Sequence, residues 1–339
     1  MKNLSPREKL VLRLIVNNFI STGMPVGSRV LWKNYKLNIC PATIRNIMYD
    51  LGEIGYIEQP YTSAGRIPTD KGFRLYIEDL IKYEKLSEKE KNAIRENIET
   101  IKSDIDDLLQ KTSIVLGKLS KQLGVVLTPN FYSAQFEKVE LIDVSSNKIL
   151  VIITLKKGLF KTIIMEVDSY IQKSELEETA RVINERLCGL TLGDIKETID
   201  KRLQNVSIGN RGIIRYFIEF SENIFEIEWE EAVHIGSTGE IVEQLEFSSN
   251  EYMKKMFDLL DNKKTIIKVL KNRKDDENIT VTIGKENISE ISIFSVITAG
   301  YKIGNFKGSL GIIGPRRMRY SKVIPLVKYT AEIINKIMN

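Results

Sequence analysis

Residues 40–76 of the chain read CPATIRNIMYDLGEIGYIEQPYTSAGRIPTDKGFRLY, and this stretch decides the fold class of the N-terminal region. Pro41 suits the first turn of a helix, where its missing N–H costs nothing. The apolar residues that follow recur with helical spacing: Ile44, Ile47, Met48 and Leu51. The spacing predicts a helix over 41–54 that buries this stripe and turns the face with Ala42, Asn46, Tyr49 and Glu53 outward.

A short β-hairpin is predicted directly after this helix. Beyond Gly55 come an extended segment at 56–59, a small-residue tip at 62–66 and a second extended segment at 67–69. Turn-forming residues between two short extended runs are typical of hairpins. Thr69 is then placed to cap a further helix that continues to about Leu80.

Two more helices are predicted upstream of the quoted stretch. Ser5-Pro6-Arg7-Glu8 forms a capping-box pattern and opens a helix that ends near Thr22. Ser28 is the N-cap candidate of a short second helix, with Leu31 and Tyr35 facing inward. Three helices followed by a hairpin is the element order of a winged helix-turn-helix, whose recognition helix would be the third.

The positive charge of the chain is concentrated in this region. The 339 residues carry a net charge of +5, and residues 1–83 hold 12 Lys and Arg against 7 Asp and Glu. The N-terminal quarter therefore carries the whole excess, and the rest of the chain is neutral. A basic end on a neutral body indicates a polyanionic partner at that end.

Charge and motif together give a candidate DNA-binding surface. Arg and Asn make bidentate contacts to guanine and adenine, and small residues allow close approach. The candidates for base contacts are Ala42, Thr43, Arg45, Asn46 and Tyr49. The candidates for phosphate contacts on the helices and the hairpin are Ser28, Arg29, Lys33, Ser63, Gly65, Arg66, Lys71 and Arg74. A protein–protein role for the same module is the alternative interpretation.

Residues 84–339 predict an α+β body. From Ser87 a long helix carries a heptad seam: Ile94, Ile98, Ile101, Ile105, Leu108, Thr112, Val115 and Leu119. Such a seam either packs on the chain's own sheet, which we favour, or pairs two chains.

Later segments of the body alternate between strands and helices. Runs rich in β-branched residues at 139–144, 149–155 and 160–167 predict consecutive antiparallel strands. Two helices are predicted over 174–204, and 211–229 is of uncertain type. Further helices are expected at 250–260, 263–270 and 322–338, and further strands at 279–283, 288–296 and 308–313. A sheet that is interrupted by a helical insert and then resumed is the simplest description.

No motif for catalysis or for a cofactor is present. His234 is the one histidine, and Cys40 and Cys188 are far apart, so metal-ligand spacing is lacking. The glycine-rich stretch 308–314 lacks the Lys-Ser/Thr ending of a phosphate loop and predicts a close-packed strand. The basic tract 316–320 (RRMRY) is interpreted as a solvated turn or as a phosphate or partner site.

The sequence also indicates where the protein is located. The start of the chain lacks a signal-peptide pattern, and the longest strongly apolar run, 149–155, is far too short to span a bilayer. We expect an intracellular, cytoplasmic protein.

Four motifs resemble those of one known family. PVGSR (25–29), PATIRN (41–46), GYIEQPYTSAGRIPTDKGFRLY (55–76) and GIIGPRRMRY (311–320) are similar to the HrcA heat-inducible transcription repressors of bacteria. The resemblance implies a winged-helix domain at 1–83, a linker helix with the first part of a GAF-like domain at 84–167, an inserted dimerisation domain at 168–230 and the second part of the GAF-like domain at 231–339.

The resemblance also implies a function and its partners. It implies a homodimer that represses chaperone operons by binding an inverted-repeat DNA operator known as CIRCE. A GroEL-type chaperonin would keep the repressor active, and heat stress would end repression. No catalytic residue, cofactor or metal is implied.

The chain departs from the family pattern at several positions. Cys40 stands where Ser usually precedes PATIRN, and cysteine is a weak N-cap. Tyr49 replaces a small residue on the outward helix face, and Tyr61 replaces a usual His in the hairpin. Gly52 lies inside the helix, at a cost of about 1 kcal/mol relative to alanine.

Two other functions are compatible with the sequence. One is a regulator whose GAF-like domain binds a small molecule. The other is an enzyme or an adaptor in which the winged helix is only a docking surface.

Overall fold

The computed structural model describes residues 4–99, 105–129, 131–145, 147–156, 159–167, 170–204, 206, 208–219, 233–242, 249–271, 279–304 and 306–338. Ile101 of the predicted seam and the second half of the uncertain segment 211–229 lie outside these residues. No helix among them is long and apolar enough to cross a membrane.

The N-terminal module, residues 4–83, follows the predicted order of elements. Its helices and strands are α1 (Pro6–Thr22), α2 (Ser28–Tyr35), α3 (Pro41–Glu53), β1 (Ile57–Glu58), β2 (Ile67–Pro68) and α4 (Asp70–Leu75), the last continued by a π-helical turn over Tyr76–Leu80. The two strands pair antiparallel, with Ile57 opposite Pro68. The capping box of α1 is confirmed: the Glu8 amide donates to Ser5 Oγ at 3.3 Å, and the Ser5 amide donates to Glu8 Oε2 at 2.7 Å.

The stripe predicted for α3 forms the core of this module. Ile44, Ile47, Met48 and Leu51 are all buried, and α3 packs against α1 and α2. Each such side chain contributes roughly 1.5–3 kcal/mol through its removal from water. Two details of α2 differ from the prediction. Its N-cap is Gly27 and not Ser28. Of the two residues predicted to face inward, Leu31 is buried but Tyr35 is 37% exposed.

The body, residues 84–338, contains two separate antiparallel sheets. Its helices are α5 (Glu88–Glu99), α6 (Ile105–Ser120), α7 (Lys173–Leu187), α8 (Leu192–Leu203), α9 (Arg211–Glu219), α10 (Gly239–Val242), α11 (Asn250–Asp261), α12 (Lys263–Lys271) and α13 (Tyr320–Met338). Its strands are β3 (Leu123–Leu127), β4 (Phe136–Ser145), β5 (Lys148–Leu155), β6 (Leu159–Glu166), β7 (Val233–Ile235), β8 (Ile279–Ile283), β9 (Phe294–Ile303) and β10 (Phe306–Pro315). The fold is α+β.

The larger sheet has the order β7-β3-β10-β9-β8 and is covered on both faces. Helices α6 and α13 pack on one face and α12 on the other. Along β3, Val125 belongs to the core on the α12 side, whereas Val126 belongs to the core on the α13 side. This alternation is the two-residue period of a strand with a core on each face.

The smaller sheet, β4-β5-β6, corrects the predicted organisation of the body. These strands were expected to belong to the sheet that resumes near the C-terminus, but they pair only with one another among the described residues. Helix α7 packs on one side of this sheet, and Asn184 exchanges two hydrogen bonds with the backbone of Val139, at 2.6 and 3.0 Å. The prediction of one interrupted sheet fails because strands β4 to β6 satisfy their backbone groups locally.

The heptad seam is built into the chain's own core. Helices α5 and α6 pack against each other and against α13, so they are not one straight helix. Ile94, Ile98, Leu108 and Val115 are buried. The polar member of the seam, Thr112, is also buried and donates to the Leu108 carbonyl at 2.7 Å. The packing on the chain's own sheet that we favoured is therefore observed.

Three strands of the larger sheet differ from the sequence prediction. Neither β3, directly after α6, nor β7 was predicted. β9 was expected over 288–296 but begins at Phe294, because a 3-10 turn occupies Ser289–Ile291.

The glycine-rich segment of β10 is a close-packed strand, as predicted. A Cβ on Gly311 would lie 2.3 Å from the Ile297 carbonyl oxygen of the neighbouring strand β9.

Glu90 connects α5 to α13 and makes stability depend on pH. Its hydrogen bonds from Lys322, at 2.6 Å, and from Ser87 lower the pKa of the Glu90 carboxyl to about 2. A carboxyl with a depressed folded-state pKa adds stability above its unfolded pKa and loses it as pH falls through the folded pKa. The stabilisation of the fold by the Glu90 carboxylate should therefore be complete at neutral pH and should disappear as the pH falls from about 4.5 to about 2.

We expect Glu90→Gln to lower the free energy of unfolding at pH 7 by about 1 kcal/mol, the upper range for a pair that keeps contact with solvent. Chemical denaturation of both proteins across this pH range would show the difference shrinking with acidification. A difference that stays constant down to pH 2 would contradict the assignment.

Candidate nucleic-acid interface

The outward face of α3 has the composition predicted for reading base edges. Ala42, Arg45, Asn46 and Tyr49 are exposed, and Tyr49 is 59% exposed. Thr43 lies at the edge of this face and is half-buried. Residues at positions i, i+3, i+4 and i+7 share one face of a helix, so these side chains form one continuous strip.

The start of α3 lacks a side-chain cap. Cys40 is the N-cap residue, and its thiol accepts no capping hydrogen bond from the helix backbone. The Sγ atom instead lies 3.2 Å from Thr43 Oγ1, and this side-chain hydrogen bond lowers the pKa of the exposed Cys40 thiol.

The hairpin is fixed to the α1–α2 connection by backbone hydrogen bonds. The Val26 amide donates to the Arg66 carbonyl at 3.0 Å, and the Arg66 amide donates to the Val26 carbonyl at 2.9 Å. Gln59 Nε2 closes the tip by donating to the Thr62 and Ala64 carbonyls, at 2.7 and 3.0 Å. Gly65 is required for the close approach, because a Cβ there would lie 2.5 Å from the Val26 carbonyl carbon.

Several of the predicted phosphate-binding residues lie in solvent beside α3 and the hairpin. Arg29, Lys33 and Ser63 are exposed, whereas Arg66 and Gly65 are half-buried. Ser28 is 8% exposed, and its side chain is buried at the start of α2.

Two predicted contacts, Lys71 and Arg74, are engaged within the protein. Lys71 donates to the Ile54 carbonyl at 2.7 Å and lies over the Tyr56 ring, where it interacts with the C-terminal end of α3. Arg74 forms an ion pair with Glu286 of the body and donates to the Val281 carbonyl at 2.6 Å. The hydrogen bond with Glu286 raises the pKa of the Arg74 guanidinium. In this conformation, neither side chain is available to DNA.

Trp32 on α2, which is 46% exposed, was not among the predicted contacts. It lies three residues after Arg29 and directly before Lys33, so it shares their helix face. The helical spacing that predicted the outward face of α3 would have identified Trp32 if it had been applied to α2.

The basic tract 316–320 connects the body to the N-terminal module. Arg316 Nη1 donates to Asp70 at 2.8 Å, Arg317 donates to the Ile20 carbonyl at 3.0 Å, and Arg319 pairs at 2.9 Å with Glu84, the first residue after the module. Asp70 also accepts from the Lys285 amide at 3.0 Å. We call this set of contacts the joint. The tract is thus not the solvated turn that was one of its two interpretations.

His234 has a structural role. Its Nε2 lies 3.1 Å from Thr128 Oγ1, and burial lowers the pKa of the imidazole. Across the described ranges, no group of His, Cys, Asp and Glu side chains could hold a metal ion.

These features define a class of protein: a small basic module of three helices and a hairpin, attached through arginine contacts to a larger α+β body. A family model described as "HrcA protein C terminal domain" matches residues 106–324. The chain belongs to the HrcA family, which consists of transcription repressors and not of enzymes.

Relatives and a solved structure match along nearly the whole chain. The Heat-inducible transcription repressor HrcA of Chlorobium phaeobacteroides is 34% identical over 97% of both chains. That of Geobacter sulfurreducens is 34% identical over 100% of this chain and 99% of its own. The crystal structure of a hypothetical protein, solved at 2.2 Å resolution, matches the fold with a TM-score of 0.76 at 24% identity, covering 99% of each chain.

Two glycines of the module, Gly65 and Gly52, should respond in opposite directions to alanine. Gly65→Ala should lower the free energy of unfolding by about 1–3 kcal/mol, because backbone atoms must move apart to admit the methyl group. Gly52→Ala is the matched control: its Cβ would contact only the Ile57 carbonyl, at 3.8 Å, and helix propensity favours it by up to about 1 kcal/mol. Denaturant unfolding of both variants measures their free energies of unfolding. Equal stability of the two would contradict the close approach of Gly65 to the Val26 backbone.

Proposed function

We propose that this protein is a homodimeric transcriptional repressor of heat-shock operons that binds an inverted-repeat operator of the CIRCE type. The observation that carries the proposal is the exposed strip of α3, Ala42 to Tyr49, beside a hairpin and flanked by Arg29, Lys33 and Arg66. It has the arrangement in which a helix enters the major groove and cations at its margins meet phosphates. The curated relatives are named heat-inducible transcription repressors, and this name is the basis for proposing heat-shock operons as the target.

In this proposal the side chains have two roles. Arg45 and Asn46 read base edges, with Ala42 and Thr43 allowing close approach and Tyr49 adding an apolar or hydroxyl contact. Arg29, Lys33, Ser63 and Arg66 bind phosphates and set the register on the duplex. Ser28 and Gly65 are assigned phosphate contacts through their backbone amides. Trp32 adds an aromatic contact at the groove margin.

The module and the body are assigned as a winged-helix domain and a split GAF-like domain. Residues 1–83 form the winged helix, and the larger sheet with α5, α6 and α11–α13 forms the GAF-like domain. We place the inserted domain from β4 to α9, residues 136–219, because these elements share the smaller sheet and its helices. This boundary begins earlier than the one predicted at 168.

We assign dimerisation to the smaller sheet. The heptad seam is buried in the chain's own core. The smaller sheet, in contrast, has one face that contains the buried Val151 and another face that carries apolar side chains in solvent. Ile142 and Ile164, 46% and 63% exposed, both pair in register with Leu150, so the three form one row across the sheet. A self-complementary patch of this kind suits a two-fold dimer. Such a dimer presents two recognition helices to half-sites about one turn of DNA apart.

The chaperonin partner rests on family membership. We propose that a GroEL-type chaperonin keeps the repressor competent to bind DNA and that heat stress ends repression. A mobility-shift assay on the DNA upstream of the chain's own gene tests operator binding. The same assay with and without chaperonin tests whether the chaperonin increases that binding. Equal affinity for that duplex and for a scrambled duplex would contradict the specific-repressor function.

Arg45→Ala and Arg66→Ala should separate base reading from phosphate binding. Arg45→Ala should cost about 1–3 kcal/mol of affinity for the operator and little for a scrambled duplex. Arg66→Ala should weaken both duplexes alike and reduce the salt slope by about one. Titrations over a salt series measure both effects, with Arg181→Ala on the exposed face of α7 as the control. If the two variants behave identically, the assigned roles are wrong.

Ile142→Asp combined with Ile164→Asp should convert the dimer to a monomer, because a dimer interface would bury both carboxylates without partners. Sedimentation velocity at micromolar concentration measures the mass. The control is Phe257→Asp on α11, an equally exposed apolar site at 55%. Loss of the dimer in the control, or a dimer that survives in the double variant, would move the interface elsewhere.

A further inference from the structure

A cleft of about 1020 Å³ lies between the N-terminal module and the body, and its lining is strongly cationic. The basic side chains that line it are Arg13, Lys82, Lys121, Arg317, Arg319 and Lys322, whereas Glu84 is the single carboxylate of the lining among the described residues. No residue of the strip on α3 or of the hairpin tip contributes to the lining. The cleft is therefore separate from the surface that we assign to DNA.

The positive charge of the cleft is only partly compensated. Arg319 pairs with Glu84 at 2.9 Å, and Lys322 pairs with Glu90 at 2.6 Å. Within the described ranges, Arg13 and Lys82 form no ion pair. Cations that converge from three or more segments on one concave surface repel one another, and a bound anion relieves this repulsion.

The cleft also has an apolar part. Ile20 and Leu119 are half-buried in its lining, and Leu14, Leu80 and Met318 lie deeper and are buried. Cationic groups around apolar contacts suit a ligand that joins several negative charges to an apolar ring. The volume is at the upper end of the range for small-molecule sites, roughly 300–1000 Å³.

We propose that this cleft binds a small soluble polyphosphate of the nucleoside polyphosphate class, with its phosphates on the cationic side chains and its base against Ile20 and Leu119. The inference goes beyond the proposed repressor function and does not depend on it. Because Arg13 and Lys82 belong to the N-terminal module and Arg317 and Lys121 to the body, the ligand bridges the two. Bound polyphosphate should therefore raise the melting temperature of the whole chain.

The probes are ATP and inorganic tripolyphosphate, titrated into the full-length protein by calorimetry without DNA. We expect saturable binding of both, tighter for ATP, and weakened by salt. Arg13→Gln combined with Lys82→Gln should reduce the affinity about tenfold or more, since each removed contact is a charge-assisted hydrogen bond. Lys138→Gln combined with Lys173→Gln, which removes two charges from the β4 to α9 region, should leave it unchanged.

A third variant distinguishes the cleft from the DNA-binding surface. Arg45→Gln combined with Arg66→Gln should lose operator binding and keep ATP binding. If this variant loses ATP binding while the cleft variant keeps it, or if no saturable binding occurs, the proposal is overturned. Tripolyphosphate binding as tight as that of ATP would overturn the contact with the base. If the Arg13 variant does not fold, Lys82→Gln combined with Lys121→Gln on exposed connections replaces it.

Discussion

The position of the N-terminal module depends on one half-buried carboxylate. Asp70 begins α4, directly after the hairpin, and its side chain is only 19% exposed. It accepts from the guanidinium of Arg316 and from the amide of Lys285, and Gly284 leaves it room, since a Cβ there would lie 2.2 Å from Asp70 Oδ2. A carboxylate that is largely removed from water is destabilising when it loses its hydrogen-bond partners, so alternative placements of the module that leave Asp70 unpaired are disfavoured. The remaining contacts of the joint, from Arg319 to Glu84 and from Arg317 to Ile20, add to this one.

A further contact between the module and the body, that of Arg74, competes with the proposed DNA-binding surface for a cation. Arg74 was predicted at the DNA margin from its position alone, yet Glu286 and the Val281 carbonyl hold it against the edge strand β8. The proposed DNA-binding surface then consists of side chains on α2, α3 and the hairpin tip. A basic residue near a recognition helix therefore counts toward the footprint only when no carboxylate of the body is within its reach.

The local part of the fold could be predicted from the sequence, and the non-local part could not. The helix of Ile44 and Leu51, the capping box of Ser5 and the hairpin around Gly65 follow from spacing and turn chemistry, which act over a few residues. The exposure of Arg45, Asn46 and Tyr49 followed from the same periodicity. What failed needed partners distant in sequence: the pairing of β4 to β6 as a separate sheet, the short strand β3, and the role of Arg316. Spacing within the tract 316–320 contains no information on Asp70, some 246 positions earlier.

The order of the strands in the larger sheet has a consequence for how the chain folds. Strand β3 precedes the smaller sheet, and its main partner β10 comes near the end, with Leu127 opposite Ser309, 182 positions later. During synthesis at about 5–20 residues per second, β3 waits roughly 10–40 s for that partner. Its residues are apolar and are buried on both faces in the final sheet. A nascent chain of this topology has high contact order and keeps an apolar strand without its main partner for that time, which is the kind of surface that chaperones shield. This topology therefore delays completion of the larger sheet until nearly the whole chain has been synthesised.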